Sequence, residues 1–173
     1  MAVTDSHFQA SFDQLQHRLE KCNAARECAW ALTDAAIGAF SLPDCVSYLL
    51  NADGLTLTQV SAFGPKMKLG QMVENAITLR VGEGIVGSVA SARASIRIDD
   101  TRLDARYIVD DAARLSELAI PIQYNGDLFG VMDMEHEQPA FYHAQHETVL
   151  MRMATLAAVR IAALRCPALP VSD

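Results

Sequence analysis

Val81-Gly-Glu-Gly-Ile-Val-Gly87, Asp104-Ala-Arg-Tyr-Ile-Val-Asp-Asp-Ala-Ala-Arg-Leu-Ser-Glu-Leu-Ala-Ile-Pro121 and Gly130-Val-Met-Asp-Met-Glu-His136 follow one another through the middle of the chain. They set acidic side chains inside otherwise apolar, strand-like runs. A carboxylate buried among apolar groups is expensive unless something pairs with it. The middle therefore reads as the wall of a pocket rather than plain core.

Working outward, Leu118 to Tyr124 reads as a strand, Asn125-Gly126 as a tight turn, and Leu128 to Met134 as the hairpin partner. Upstream, Val46, Tyr48 and Leu50 alternate, Asn51-Ala-Asp-Gly54 is a turn signal, and Leu55 to Phe63 completes a second hairpin. Between the hairpins the sequence predicts a polar, lysine-bearing helix or loop over 65–76, a short strand over 77–81, a small-residue helix over 85–92, a strand over 95–98, and a loop or short helix over 101–114.

Both ends read as helix. The first 40 residues carry no Pro and no Gly before Gly38, which predicts one long helix capped by Thr4 or Asp5. Phe8, Phe12, Leu15, Leu19 and Cys22 form a heptad seam, fitting either packing inside the chain or packing against a second copy. Ala144 to Arg165 is the second long helix, stopped by Cys166-Pro167, with Val149, Met153, Leu156, Ala157, Ile161 and Leu164 in its apolar stripe. An antiparallel sheet covered by helices from both chain ends is an α+β arrangement.

The chain has 173 residues, 51% apolar and 20% charged, enough for one domain with a sizeable core. A net charge of −7 and the lack of any basic run argue against nucleic acid as a partner. No stretch reaches the ~20 apolar residues a membrane span needs. The N-terminus lacks the basic flank and apolar core of a signal peptide. The four cysteines, Cys22, Cys28, Cys45 and Cys166, form no Cys-x-x-Cys pair and read as reduced core thiols. A cytoplasmic protein without cofactor or metal is the expectation.

The ordered set Gly82-Glu-Gly-Ile-Val-Gly87, Ile98-Asp-Asp100, Ser116-Glu-Leu-Ala-Ile-Pro121, Gly126, Gly130-Val-Met-Asp133 and Phe141 resembles the GAF domain family over roughly residues 25–165. The resemblance implies a mainly antiparallel sheet of about six strands with the N- and C-terminal helices on one face. It also implies a small-molecule pocket on the other face, and dimerisation through terminal helices. The implied organisation is a helical, dimerising extension over 1–24, the domain over 25–166 and a tail over 167–173. The tail's Pro-Ala-Leu-Pro run favours a stand-alone regulator over an input module, and either would be a non-catalytic sensor in signal transduction.

One GAF subgroup is an enzyme, the free methionine-R-sulfoxide reductase. The resemblance puts its acidic triad on Glu117, Asp133 and Glu135, and its two cysteines on Val86 and Asp110. That chemistry needs a thiolate and a resolving thiol, so the resemblance implies binding without turnover. The pattern of cyclic-nucleotide-binding members is absent after the glycine motif, and no cysteine is suitably placed for a bilin. His136 and His143 are poor haem ligands, and His143-x-x-His146 lacks a firm third zinc ligand.

Asp133 and Glu135 are two apart on a strand and share a face, with Glu117 on the hairpin partner. Three converging carboxylates favour an ammonium, guanidinium or metal cation, or raise one another's pKa. The plainer alternative pairs them with Arg114 or Arg106. Tyr107, Asp110, Asp111 and Arg114 read either as a lid with an aromatic wall or as a solvated helix with an Asp110–Arg114 ion pair. The candidate ligand-binding set is thus Tyr107, Asp110, Asp111, Arg114, Glu117, Asp133 and Glu135. Two further alternatives are a diverged reductase-like enzyme using different chemistry, and a dimerisation module whose pocket is plugged by Tyr48, Phe63, Tyr107 or Phe129.

Overall fold

A computed structural model describes residues 3–68 and 71–165; the expected tail over 167–173 and Cys166 lie outside the described residues. The chain runs α1 (Val3–Lys21), α2 (Ala25–Phe40), β1 (Cys45–Leu50), β2 (Thr56–Phe63), β3 (Met67–Lys68), β4 (Met72–Val73), β5 (Thr78–Arg80), α3 (Gly84–Ala92), β6 (Ile96–Ile98), β7 (Ser116–Tyr124), β8 (Asp127–His136) and α4 (Ala144–Arg165). Six strands form one antiparallel sheet in the order β5-β2-β1-β8-β7-β6, while β3 and β4 make a separate small hairpin. This is the expected α+β, GAF-like architecture.

The long N-terminal helix is the first correction, because it breaks at residues 22–24 into α1 and α2. Glu27 accepts from the backbone N–H of Asn23 at 2.7 Å, tying down a donor that the start of α2 would leave free. Arg160 of α4 donates to the Cys22 carbonyl at 2.6 and 3.2 Å, fixing the last turn of α1. The break lets both helices pack as an antiparallel pair over α4, a tertiary preference that overrides uninterrupted propensity. The heptad seam is used within the chain: Phe8, Phe12, Leu15, Leu19 and Cys22 are all buried in its own core.

That core fills the space between the helices and one face of the sheet, where Leu118, Ile120, Met132 and Met134 meet Leu32, Leu150, Met153 and Ile161. Thr33 of α2 contributes a polar contact there, its hydroxyl 3.0 Å from Ser47 and 2.9 Å from Ser61. The opposite face carries a second cluster, Val46, Tyr48, Leu57, Leu79, Val131 and Ala119, closed over by Ile85 and Val89 of α3.

Glycine makes two of these contacts possible. A Cβ on Gly87 would lie 2.3 Å from the Arg80 carbonyl, and one on Gly130 would lie 2.0 Å from the Tyr48 carbonyl. The glycine motif therefore seats α3 against the β5 end. The stretch expected as a polar helix or loop over 65–76 contains the β3–β4 hairpin instead. No helix among the described residues is long and apolar enough to cross a membrane.

Candidate functional site

The strand period decides what faces the second cluster. Along β8, Met132 and Met134 point into the helix-covered core, which leaves Val131, Asp133 and Glu135 on the other face. Glu117 pairs in register with Glu135, and Ala119 with Asp133. On the other side, Val46 pairs with Asp133, so Asp44, two residues earlier on the same face, comes beside Glu135. Four carboxyl groups thus collect at one end of the sheet. They line a cavity also bounded by Tyr48, Gln59, Lys66, Ile85, Val86 and Ile108.

Burial and crowding push all four acids up toward their protonated forms. Glu117 is 3% exposed and Glu135 8%. Burial, chiefly, and then the neighbouring Asp133 push Glu135 up to about 9. Burial likewise raises Glu117 to about 8 and Asp44 to about 7, with Asp111 adding to the latter. Asp133 is raised well above the carboxylate range by burial and by Glu117, with which it is hydrogen-bonded. Its Oδ1 atom is buried without a hydrogen-bond partner. Of the four acids, Asp44 is paired among the described residues, with Arg114 at 3.4 Å; Arg114 also reaches Asp111 at 3.5 Å, Lys66 reaches Asp110, and Arg106 takes Asp104 at 2.7 Å while acting on Glu117 only through its charge.

Part of the cavity wall is a network centred on Gln59. Its amide nitrogen donates to Tyr48 Oη at 2.9 Å and to Asp110 Oδ2 at 2.6 Å, while its carbonyl oxygen accepts from Lys66 Nζ at 2.8 Å. Lys66 also donates to the Asn75 carbonyl at 3.2 Å. The enclosed volume is only about 30 Å³, room for a water or two rather than a metabolite.

Of the residues expected from the sequence, Asp110, Asp111, Glu117, Asp133 and Glu135 line this one cavity. Tyr107 and Arg114 brace its rim: Tyr107 Oη accepts from the Arg114 N–H at 2.9 Å, and its ring hydroxyl also meets Glu135. The expected Asp110–Arg114 pair does not form, because Asp110 turns to Lys66 while Arg114 takes Asp44 and Asp111. The solvated-helix alternative also falls away, since residues 104–115 are loop.

Of the four aromatics offered as plugs, Tyr48 lines the cavity, whereas Phe129 lies in the core on the far side of the sheet. Asp44, Gln59 and Lys66 were missed. The first two share parity with residues already placed, Asp44 with Val46 and Gln59 as the register partner of Tyr48. Lys66 has no such local signal.

The GAF domain profile matches residues 22–162. The chain belongs to the GAF domain family. No curated protein sequence matches it. Among solved structures it is similar to the GAF domain of a phosphoenolpyruvate-protein phosphotransferase from Coxiella burnetii, at 16% identity over 92% of this chain and 95% of that one, with a TM-score of 0.79. The corresponding Acinetobacter GAF domain gives 16% identity, 94% and 95% coverage and a TM-score of 0.77. Free methionine-R-sulfoxide reductase from Neisseria meningitidis, solved in complex with its substrate, gives 17% identity, 91% and 90% coverage and a TM-score of 0.78.

Likeness at this identity establishes the fold, which GAF domains of phosphotransferases and a reductase share. At the two positions where the resemblance placed the reductase cysteines, Val86 and Asp110 line the cavity. The described cysteines, Cys22, Cys28 and Cys45, are buried in the helix-side core.

Proposed function

We propose that this GAF domain is a non-catalytic sensor that binds a small metabolite through a cationic group held by Glu117, Asp133 and Glu135. One observation carries the reading. Glu117 and Asp133 lie buried in mutual contact with one Asp133 oxygen unpartnered, and no lysine or arginine among the described residues forms an ion pair with either. Buried acids without a contacting counter-ion lower stability and are characteristic of functional sites, and Arg106 acts on Glu117 only from beyond ion-pair distance. A cation entering the cavity converts that penalty into attraction and displaces protons from the acids.

The test is a backbone-amide NMR titration with n-butylammonium chloride, using n-butanol as the uncharged control. Saturable shifts at residues 117, 133 and 135 with the ammonium alone support the reading. Equal response to the alcohol, or an unchanged response in Glu117→Gln/Asp133→Asn, defeats it.

The diverged-reductase alternative is tested with free methionine sulfoxide and dithiothreitol. No turnover is expected, because neither Val86 nor Asp110 supplies a sulfur nucleophile. Cytoplasmic residence and homodimerisation through the terminal helices belong to the same proposal. Since the α1 seam lies inside the chain, a second copy would meet the outer face of α4, where Met151 and Val159 are exposed. Light scattering at two protein concentrations decides whether that dimer forms.

A further inference from the structure

Lys66 and Asp110 line two spaces at once. On one side is the inner acidic cavity of about 30 Å³, and on the other an outer depression of about 340 Å³ bordered by Pro65, Glu74 and Asn75. The contact between the two side chains is part of the wall separating them. Lys66 is 7% exposed, and its three ammonium hydrogens have three acceptors: the Asp110 carboxylate, Gln59 Oε1 and the Asn75 carbonyl. These come from three segments, namely the loop over 104–115, β2 and the turn after β4.

The loop itself has little else to hold its middle. Among the described residues, no backbone hydrogen bond joins residues 108–113 to the sheet, and Ile108 and Val109 are 40% and 55% exposed. The Asp110 carboxylate, held by Lys66 and by the Gln59 amide of β2, does most of the anchoring, while Asp111 pairs with Arg114 inside the loop. Segments with few buried contacts and no backbone ladder open at low free-energy cost.

We propose that the Lys66–Asp110 contact is a displaceable gate. An incoming cationic group displaces Lys66 from Asp110, the loop over 104–115 swings outward, the outer depression joins the inner cavity, and the group passes on to Glu117, Asp133 and Glu135. The proposal rests on the cation-binding reading above and adds how the site is regulated. Lys66 acts as a tethered competitor, present at the high effective concentration of an intramolecular group, and it sets a threshold that a ligand must exceed.

The chain contains three lysines, so their side-chain ammonium resonances are readily resolved by NMR, with Lys66→Arg assigning the one of interest. In the wild-type protein titrated with n-butylammonium chloride, the protected Lys66 resonance is expected to vanish in step with the amide shifts at residues 117, 133 and 135. Lys66→Met is expected to bind the same probe about tenfold more tightly, its internal competitor being gone. Amide shifts that saturate while the Lys66 resonance stays in place overturn the gate and leave the cation site standing. So does a Lys66→Met protein that binds no more tightly than wild type. Absence of saturable shifts in both proteins removes the cation site, and the gate with it.

Discussion

Replacing Glu135 by Gln should make the protein more stable at neutral pH. Glu135 is 8% exposed on β8, opposite Glu117, and burial together with Asp133 raises it from an ordinary 4.5 to about 9. The folded state therefore holds a proton that the unfolded chain gives up above pH 4.5. Folded binds more protons than unfolded throughout that window, so stability falls as pH rises, by ~1.4 kcal/mol per pH unit from this group alone. The contribution is fully present below the unfolded value and is lost as pH climbs towards the folded one. At pH 7 the accumulated loss is about 3 kcal/mol.

Gln is neutral in both states and nearly isosteric, so Glu135→Gln escapes the loss. The gain is expected to approach about 3 kcal/mol at pH 7 and to shrink to nothing near pH 4. Urea unfolding of both proteins at pH 4.5, 6, 7 and 8 reads it directly, with an unchanged m-value confirming that only stability moved. A Glu135→Gln protein less stable than wild type at pH 7, or a difference that does not change with pH, would refute the reasoning. The same substitution should weaken n-butylammonium binding, the opposed response expected of a residue kept for function at the expense of stability.

Cation binding should release protons, because a positive charge beside Glu117 and Glu135 favours their ionised forms; calorimetry at pH 7 in two buffers of different ionisation enthalpy should report roughly one proton released per ligand, with affinity rising from pH 6 to pH 9. Leu15→Ala removes a fully buried side chain of the α1 seam and should cost about 3 kcal/mol. Its oligomeric state by light scattering should match that of the wild type, whereas a seam built for a partner would lose the dimer. Gly87→Ala drives a methyl to 2.3 Å from the Arg80 carbonyl and should cost at least ~2 kcal/mol in urea, since the obstacle is backbone and α3 must shift.

The elements legible in the sequence were those with strong local signals. Asn125-Gly126 marks the β7–β8 turn, and both residues adopt positive φ there, as a tight hairpin requires. The α4 helix runs over Ala144–Arg165, where its apolar stripe said it would. What local signals could not show was the break between α1 and α2. Nothing in Cys22-Asn23-Ala24 disfavours helix strongly, and the decisive contact comes from Arg160, far along the chain. The β3–β4 hairpin was hidden for a similar reason: two-residue strands carry no readable period.

The site divides along the same line. Asp133, Glu135 and Glu117 could be read because strand parity places them on one face without knowledge of the sheet. Asp44 and Gln59 needed the strand order, which sets β1 between β2 and β8. Lys66 needed the whole fold, since its partners come from β2, the turn after β4 and the distant loop. The separation has a physical consequence. Glu117 directly opposite Glu135 is a like-charge pair, which a sheet tolerates poorly unless the pair is kept neutral or is balanced by a cation. Burial pushes both acids toward neutrality, and the ammonium that lines the cavity, Lys66, sits on Asp110 instead of on these acids. A fold selected for stability alone would gain by exchanging the acids for amides or apolar residues. On the proposed reading, that cost is offset when an external cation meets the acids, and Lys66, held on Asp110, leaves them free to receive it.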